Sequence, residues 1–341
     1  VSVLEVQNLT VEFGQRGGAK FRAVDAVSFA LSEGQTLALV GESGSGKSTV
    51  VRAVGQLVKR KSGEILLNGE PAGRHGSALR SYRHKVQIVF QDPFASLNPM
   101  HTVRHHVVRP LLLQPGHPRG AALDEAVHDL LRSVNLTPPE EIAAKHPHEL
   151  SGGQRQRVAI ARALATDPDV LLADEPVSML DVSIRLEILN LLDRLKRDRK
   201  LALLYVTHDL ATARHFSSEI MVMYKGEILE RGPSDQVILN PSHPYTQILA
   251  NAAPNPAASR ASLRAARDER QSARAARAAE HRETVSTSGC RFRSRCQFAM
   301  DICARHPSDL PIADGHLARC WLYGESPGDG VAAGYGAEAG P

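Results

Sequence analysis

The stretch Gly41-Glu42-Ser43-Gly44-Ser45-Gly46-Lys47-Ser48-Thr49 restricts the possible folds of this chain more than any other. It follows the apolar run Thr36-Leu37-Ala38-Leu39-Val40 and precedes a segment of helical character from about Lys47 to Val58. Strand, glycine-rich loop and helix in that order predict an α/β protein whose loop grips phosphate. Glycines let the backbone turn tightly enough to aim several N–H groups at one phosphate chain. Lys47 adds a point charge at the β and γ phosphates, and the Ser48 hydroxyl can ligate Mg²⁺. The dipole of the helix that starts there favours the same anion. A chance glycine turn before Lys-Ser would not bring the full G-x-x-x-x-G-K-S spacing with a strand and a helix around it. A nucleoside triphosphate is the expected ligand, with Gly41, Ser43, Gly44, Ser45, Gly46, Lys47, Ser48 and Thr49 as its phosphate cradle.

Three further apolar runs end in residues that carry chemistry. In parallel α/β sheets, ligands sit at the carboxyl ends of the strands. Val86-Gln87-Ile88-Val89-Phe90 delivers Gln91, a neutral amide able to reach Mg²⁺ or an attacking water; alone it reads equally as a surface amide. Val170-Leu171-Leu172-Ala173 ends in Asp174 and Glu175. Asp174 is placed for the Mg²⁺ shell and Glu175 to polarise the water that attacks the γ phosphate, where a plain strand end would carry acidic caps without purpose. The run Leu201 to Val206 presents Thr207-His208-Asp209, and a histidine at that edge suits a γ-phosphate contact better than a structural role.

Elsewhere, Val3 to Phe13 alternates as a half-buried strand does, and Ala26 to Leu31 reads as a second strand. Phe13 or Phe21 offers a ring for adenine; the plain alternative for either is a core or loop phenylalanine. Gly63 to Gly69 predicts a short strand closed by an Asn-Gly turn. Residues 101–149 look helical, with breaks at Gln114-Pro115-Gly116 and Thr137-Pro138-Pro139, and Leu123, Val127, Leu130, Leu131 and Val134 recur at the spacing of a core face. The next stretch, Leu150-Ser151-Gly152-Gly153-Gln154-Arg155-Gln156-Arg157, opens a helix with Ser151 as its cap. It is a second anion site with no lysine of its own. Such a site suits a nucleotide held by another chain, so a dimer is expected.

No apolar run approaches the ~20 residues of a membrane helix, and no basic segment followed by an apolar one opens the chain. A cytoplasmic protein that docks on membrane proteins is expected. The first residue is Val rather than Met, as in a fragment or a chain from a non-Met start codon. A net charge of +4 does not by itself call for nucleic acid. From Asn251 the composition shifts to Ala, Arg and Pro; Arg260, Arg264, Arg267, Arg274 and Arg277 form either a basic stripe for anionic lipid or nucleic acid, or a solvated linker helix. The four cysteines, Cys290, Cys296, Cys303 and Cys320, all lie in the tail. In a reducing compartment that favours metal over disulfides, but no pair has C-x-x-C spacing, and spacing alone leaves metal, two disulfides or free thiols open. Beyond Glu325 the Gly-Ala-Pro composition predicts disorder.

Together these stretches resemble the ATP-binding subunit of an ABC transporter over about residues 3–250: Gly41 to Thr49 as Walker A, Gln91 as the Q-loop, Leu150 to Gln154 as the signature, Asp174-Glu175 as Walker B, Ser178 to Asp181 as the D-loop and His208 as the switch histidine. The extended Gln91-Asp92-Pro93-Phe94-Ala95-Ser96-Leu97-Asn98-Pro99, the late His243-Pro244-Tyr245-Thr246 and the cysteine tail resemble the oligopeptide and dipeptide importers, a group that also takes up nickel and other small solutes. The resemblance implies an α/β P-loop ATPase domain over 1–250 with a helical subdomain at about 92–165, a linker over 251–286, a four-cysteine segment over 287–325 and a tail over 326–341. It implies catalysis by Glu175, His208 and Gln91, Mg²⁺ held by Ser48, Gln91 and Asp174, and Ser151, Gly152, Gly153 and Gln154 acting on a partner chain's ATP. It also implies a [4Fe-4S] cluster on Cys290, Cys296, Cys303 and Cys320. The expected partners are two membrane permeases, a second ATPase, identical or paralogous, and an extracytoplasmic solute-binding protein. The place is the cytoplasmic face of the plasma (inner) membrane. A soluble ABC ATPase acting on nucleic acid is the rival, disfavoured by the importer-like segment after Gln91. Met179 and Met100 depart from the family's usual small residue and Arg; Met179 is expected to alter communication between two ATP sites.

Overall fold

A computed structural model describes residues 2–14, 20–114, 116–252 and 289–324. In chain order the strands are β1 (Ser2–Gly14), β2 (Lys20–Ser32), β3 (Thr36–Val40), β4 (Ser62–Leu67), β5 (Glu70–Pro71), β6 (Val86–Val89), β7 (Val170–Asp174), β8 (Ala202–Thr207), β9 (Glu219–Tyr224), β10 (Glu227–Pro233), β11 (Leu310–Ala313) and β12 (His316–Ala318). The helices are α1 (Lys47–Val54), α2 (Gly76–Lys85), α3 (Pro93–Ser96), α4 (Val103–Leu111), α5 (Ala121–Ser133), α6 (Pro139–Ala144), α7 (Gly152–Leu164), α8 (Val182–Arg199), α9 (Leu210–Phe216), α10 (Ser234–Leu239) and α11 (Pro244–Ala252).

Strands β3, β7 and β8 are apolar runs because both their faces are buried. Successive side chains point to opposite faces of a sheet. Accordingly Ala38, Val40, Leu171, Ala173, Leu203 and Tyr205 enter one core, with the helices that follow β6. Leu37, Leu39, Val170, Leu172, Leu204 and Val206 enter the other, with α1 and the antiparallel strands. The larger sheet runs β11-β12-β10-β9-β3-β8-β7-β6, and β9, β3, β8, β7 and β6 are mutually parallel. The ends of β3, β6, β7 and β8 that precede Gly41, Gln91, Glu175 and His208 therefore meet at one edge. The smaller antiparallel sheet, β2-β1-β4-β5, covers α1 and places the β1–β2 hairpin beside that edge.

The helical stretch after β6 is α4, α5 and α6, and Val127, Leu130, Leu131 and Val134 are core residues as their spacing predicts. Two expectations need adjustment. Helix α1 stops at Val54 rather than running to about Val58, because Gly55 caps it and Gln56 takes a left-handed φ of 55°. Strand β2 is longer than Ala26–Leu31 because pairing continues through Val11↔Val24 to Phe13↔Phe21, past the irregularity at Ala26.

The cysteine-bearing segment closes onto the large sheet, where β12 pairs with β10 through Glu230↔Ala318 and Arg231↔Leu317. Beneath that pairing Glu230 is fully buried, which a carboxylate tolerates only when well bonded. It accepts the Ser242 and His243 N–H groups at 2.8 and 2.9 Å and lies 2.7 Å from His316 Nε2. Among the described residues no helix is long and apolar enough to cross a membrane. The arginines Arg260, Arg264, Arg267, Arg274 and Arg277, and the tail from 326, lie outside the described residues.

Candidate functional site

The phosphate loop turns between β3 and α1, and its tightness explains two of its glycines. A side chain on Gly41 would meet the Met223 carbonyl oxygen at 2.1 Å. Gly46 caps α1 at a φ of 109°, a conformation that favours glycine, with the Ala23 carbonyl at 2.4 Å from any added Cβ. Gly41 and Ser45 are buried under the loop. Ser43, Gly44, Gly46, Lys47, Ser48 and Thr49 line a cleft of about 570 Å³, a size suited to a nucleotide-scale ligand. Phe13, Phe21, Ala23, Gln91, Glu175, His208, Lys225 and Gly226 complete its wall.

Glu175 is the hub of the cleft. It sits just past the end of β7 at a left-handed φ of 46°, its N–H donating to the Val206 carbonyl at 3.0 Å. Gln91 Nε2 donates to Glu175 Oε2 at 3.2 Å, and His208 Nδ1 lies 3.3 Å from the same oxygen. Two side chains from the ends of β6 and β8 thus converge on the carboxylate at the end of β7 between them. An oxygen held this way can orient a water and accept its proton.

Beside it, Ser48 Oγ donates to Asp174 Oδ1 at 2.9 Å. Burial pushes the Asp174 carboxyl above its ordinary range, against the opposing hydrogen bond from Ser48. A hydroxyl and one carboxylate are the donor set that Mg²⁺ takes from a protein when phosphates and waters supply the rest, so these residues fit that ion. The side-chain bond of Gln91 goes to Glu175. Lys47 Nζ donates to the Gly41 and Glu42 carbonyls at 2.8 and 2.9 Å. Burial pulls its ammonium below the ordinary value, while Glu175, Asp174 and Glu42 pull it back up.

The Ser151–Gln154 turn lies off this cleft. Ser151 caps α7 by accepting the Gln154 N–H at 3.2 Å, and Gln154 Oε1 accepts the Ser151 N–H at 2.9 Å, a reciprocal capping box. Sequence reasoning missed Lys225 and Gly226, which reach the cleft from the β9–β10 turn. Gly226 N–H donates to the Ser45 carbonyl at 2.8 Å. No local signal marks these two; only the pairing of β9 with β3 brings them in.

Cys290, Cys296, Cys303 and Cys320 are free thiols that line one small pocket with Phe292, Trp321 and His243. Burial raises the Cys290, Cys296 and Cys320 thiols, the last to about 11. An all-cysteine set suits iron–sulfur or zinc chemistry. Among the described residues, however, no group of three or more His, Cys, Asp or Glu is arranged to hold a metal ion.

Comparison with known proteins adds to this geometry. The family profile described as "ABC transporter" matches residues 24–178, and that described as "Oligopeptide/dipeptide transporter, C-terminal region" matches residues 229–303. The probable peptide ABC transporter ATP-binding protein y4tS of Sinorhizobium fredii is 40% identical over 328 residues, 94% of this chain and 89% of the relative. The oligopeptide transport ATP-binding protein AppF of Bacillus subtilis is 38% identical, covering 94% of this chain and 98% of its own. The glutathione import ATP-binding protein GsiA of Salmonella choleraesuis is 46% identical over 74% of this chain, which spans 41% of that protein. Among solved structures, cbiO1 of Clostridium perfringens, part of an ABC transporter complex, superposes with a TM-score of 0.62 at 27% identity, over 70% of this chain and 91% of its own. The dimeric bacterial ABC transporter cassette MJ0796 gives 0.61 at 32%, over 68% and 98%.

Proposed function

This chain belongs to the ABC transporter family of ATP-binding subunits, in its oligopeptide/dipeptide branch, and from that premise we propose that it hydrolyses ATP to energise the import of short peptides. The observation that carries the ATPase is the convergence of Gln91 and His208 on Glu175 at the mouth of the phosphate-loop cleft. Relatives named for peptide, oligopeptide and glutathione transport support the substrate class.

In this reading Lys47 turns from the Gly41 and Glu42 carbonyls toward the β and γ phosphates, and the loop N–H groups take the remaining phosphate oxygens. Ser48 and Asp174 would hold Mg²⁺, which when bound would supply positive charge to those oxygens. Glu175 orients the attacking water and accepts its proton, while His208 and Gln91 fix the carboxylate and register the γ phosphate. Phe13 or Phe21 stacks on adenine. The Ser151–Gln154 turn of a second ATPase closes over the nucleotide from outside, as its place off the cleft suggests. Hydrolysis then lets the pair separate and drives two permease subunits, with an extracytoplasmic binding protein supplying solute. The chain works at the cytoplasmic face of the membrane as a peripheral subunit, its domains following the boundaries expected from the sequence. The resemblance of the tail makes Cys290, Cys296, Cys303 and Cys320 the candidate ligands of a structural [4Fe-4S] cluster; their common pocket supports this reading, while among the described residues their arrangement forms no metal-holding group. Protein purified without air and lacking iron and absorbance at the blue end of the visible range would overturn the cluster alone.

The transport reading is tested by purifying the Glu175→Gln protein from detergent-solubilised membranes with ATP present and identifying its companions by mass spectrometry. Two polytopic permeases are expected, and peptides should then stimulate the ATPase of the wild-type complex. Recovery of ribosomal or DNA-associated proteins without a permease would contradict it.

A further inference from the structure

We infer that Arg295, in the cysteine-bearing segment, is a positioning residue of the ATP site: its bidentate pair with Glu42 holds the phosphate loop in the shape that receives ATP. The inference rests on the assignment of that loop to ATP. Glu42 is the second residue of the loop, and both its carboxylate oxygens accept from Arg295, Oε1 from Nη2 at 2.8 Å and Oε2 from Nη1 at 2.9 Å. Paired parallel bonds of this kind fix orientation as well as distance. Arg295 is itself held, since Nη1 also donates to Tyr224 Oη at 3.3 Å and its guanidinium lies against the Tyr224 and Phe292 rings at 5.5 and 5.6 Å. The same loop residue is gripped from its backbone side, where the Glu42 N–H donates to Tyr245 Oη at 2.9 Å. Tyr245 and Phe292 are fully buried, with ring centroids 5.4 Å apart.

A second arginine of the segment braces the β9–β10 turn, which is itself bonded to the loop. Arg291 pairs with buried Glu227 at 2.6 Å and bonds to Asp25 and to the Lys225 carbonyl. Lys225 and Gly226 line the cleft, and the Gly226 N–H donates to Ser45 of the loop at 2.8 Å. Of the two arginines beside the first cysteines, Arg295 thus holds the phosphate loop directly and Arg291 holds a turn that bonds to it. The Glu42 carbonyl that accepts from Lys47 at 2.9 Å belongs to the residue Arg295 holds, so displacing Glu42 displaces the lysine's seat.

Without the pair, the loop occupies its competent shape only part of the time, and apparent affinity falls by that fraction. Bound phosphates then hold the loop, so the chemical step is spared. The test uses the full-length chain, with KM and kcat for Mg-ATP and a direct nucleotide-binding titration for Arg295→Ala, Arg295→Lys, Glu42→Gln and the double variant Arg295→Ala/Glu42→Gln. If about a fifth of the loop population stays competent, Arg295→Ala and Glu42→Gln each raise KM and the dissociation constant about fivefold, with kcat within about twofold. The double variant should be no worse than either single one, because both remove one shared contact. Arg295→Lys, which keeps the charge, should recover part of the affinity.

Glu42→Gln is the decisive variant. Removing a negative charge beside the phosphates would tighten ATP binding if charge alone mattered, so weaker binding supports positioning. It also keeps the test open should Arg295→Ala fail to fold. Glu42→Gln binding ATP as well as or better than wild type, or a fall in kcat with KM unchanged, overturns the inference. Lys47→Ala separates the two levels: if it binds ATP normally, the assignment of the site fails and this inference with it.

Discussion

Replacing Phe13 or Phe21 with alanine measures which ring receives adenine. The two are register partners across the β1–β2 hairpin, and both border the cleft with 42% and 50% of their surface exposed. A phenylalanine carries about 150–250 Å², so roughly 80–100 Å² of each remains to be covered. Complete cover would contribute about 2 kcal/mol at about 25 cal/mol per Å², and a base lying on one face about half of that. Base–aromatic stacks removed by alanine cost about 1–3 kcal/mol, and each 1.4 kcal/mol is about tenfold. The stacking ring, once removed, should therefore raise KM for ATP about five- to tenfold, with kcat within about twofold. The other ring should change KM by less than about twofold. Inorganic tripolyphosphate, which has no base, serves as the control: its inhibition constant should be the same in both variants. Two variants with near-normal KM would refute the stack. A parallel loss of tripolyphosphate binding would show instead that the rings support the loop.

Two other perturbations address distant parts of the molecule. Burial lowers the His243 imidazole to about 4, and its Nδ1 accepts the Tyr245 N–H at 3.0 Å. Between the unfolded value near 6.5 and about 4 the unfolded chain takes up a proton that the folded one refuses, so stability falls as the pH drops through that window. Denaturant titrations should show a loss of up to about 2 kcal/mol from pH 7 to pH 5, reduced in His243→Asn; a midpoint that does not move over this range would contradict it. Met179, 55% exposed before α8, makes Met179→Ala a surface change worth less than about 0.5 kcal/mol in stability. It should nonetheless alter the ATP cooperativity of the dimer, and an unchanged rate and Hill coefficient would dispose of the idea.

Much of the site could be read from the sequence because each of its parts is local. A buried parallel strand announces itself as an apolar run, and the residue just past its end is fixed by chain connectivity, so Gln91, Glu175 and His208 could be named as neighbours before any coordinates. The helix cap at Ser151 is likewise local, and the structure extends it to a capping box with Gln154. What escaped depends on contacts between distant residues. Arg295 lies 253 positions from Glu42, and nothing around either residue signals the pair. Lys225 and Gly226 are an ordinary turn until β9 pairs with β3. The β11–β12 hairpin was not anticipated because its strands are short, and their place is set by the buried Glu230–His316 contact rather than by alternation. Strand β2 extends beyond its apolar run because its first residues, Lys20 to Arg22, are exposed and gain their conformation from β1.

The most direct test of the central claim, that Glu175 activates water for ATP hydrolysis in this cleft, is the hydrolysis rate of Glu175→Gln set beside its affinity for ATP. The amide preserves size and hydrogen-bonding reach but cannot take up the proton. Hydrolysis should fall at least about a hundredfold while ATP binding is kept and an ATP-dependent dimer accumulates. Hydrolysis close to the wild-type rate, with ATP bound normally, would mean that another group activates the water and that the convergence of Gln91 and His208 on Glu175 serves some other purpose.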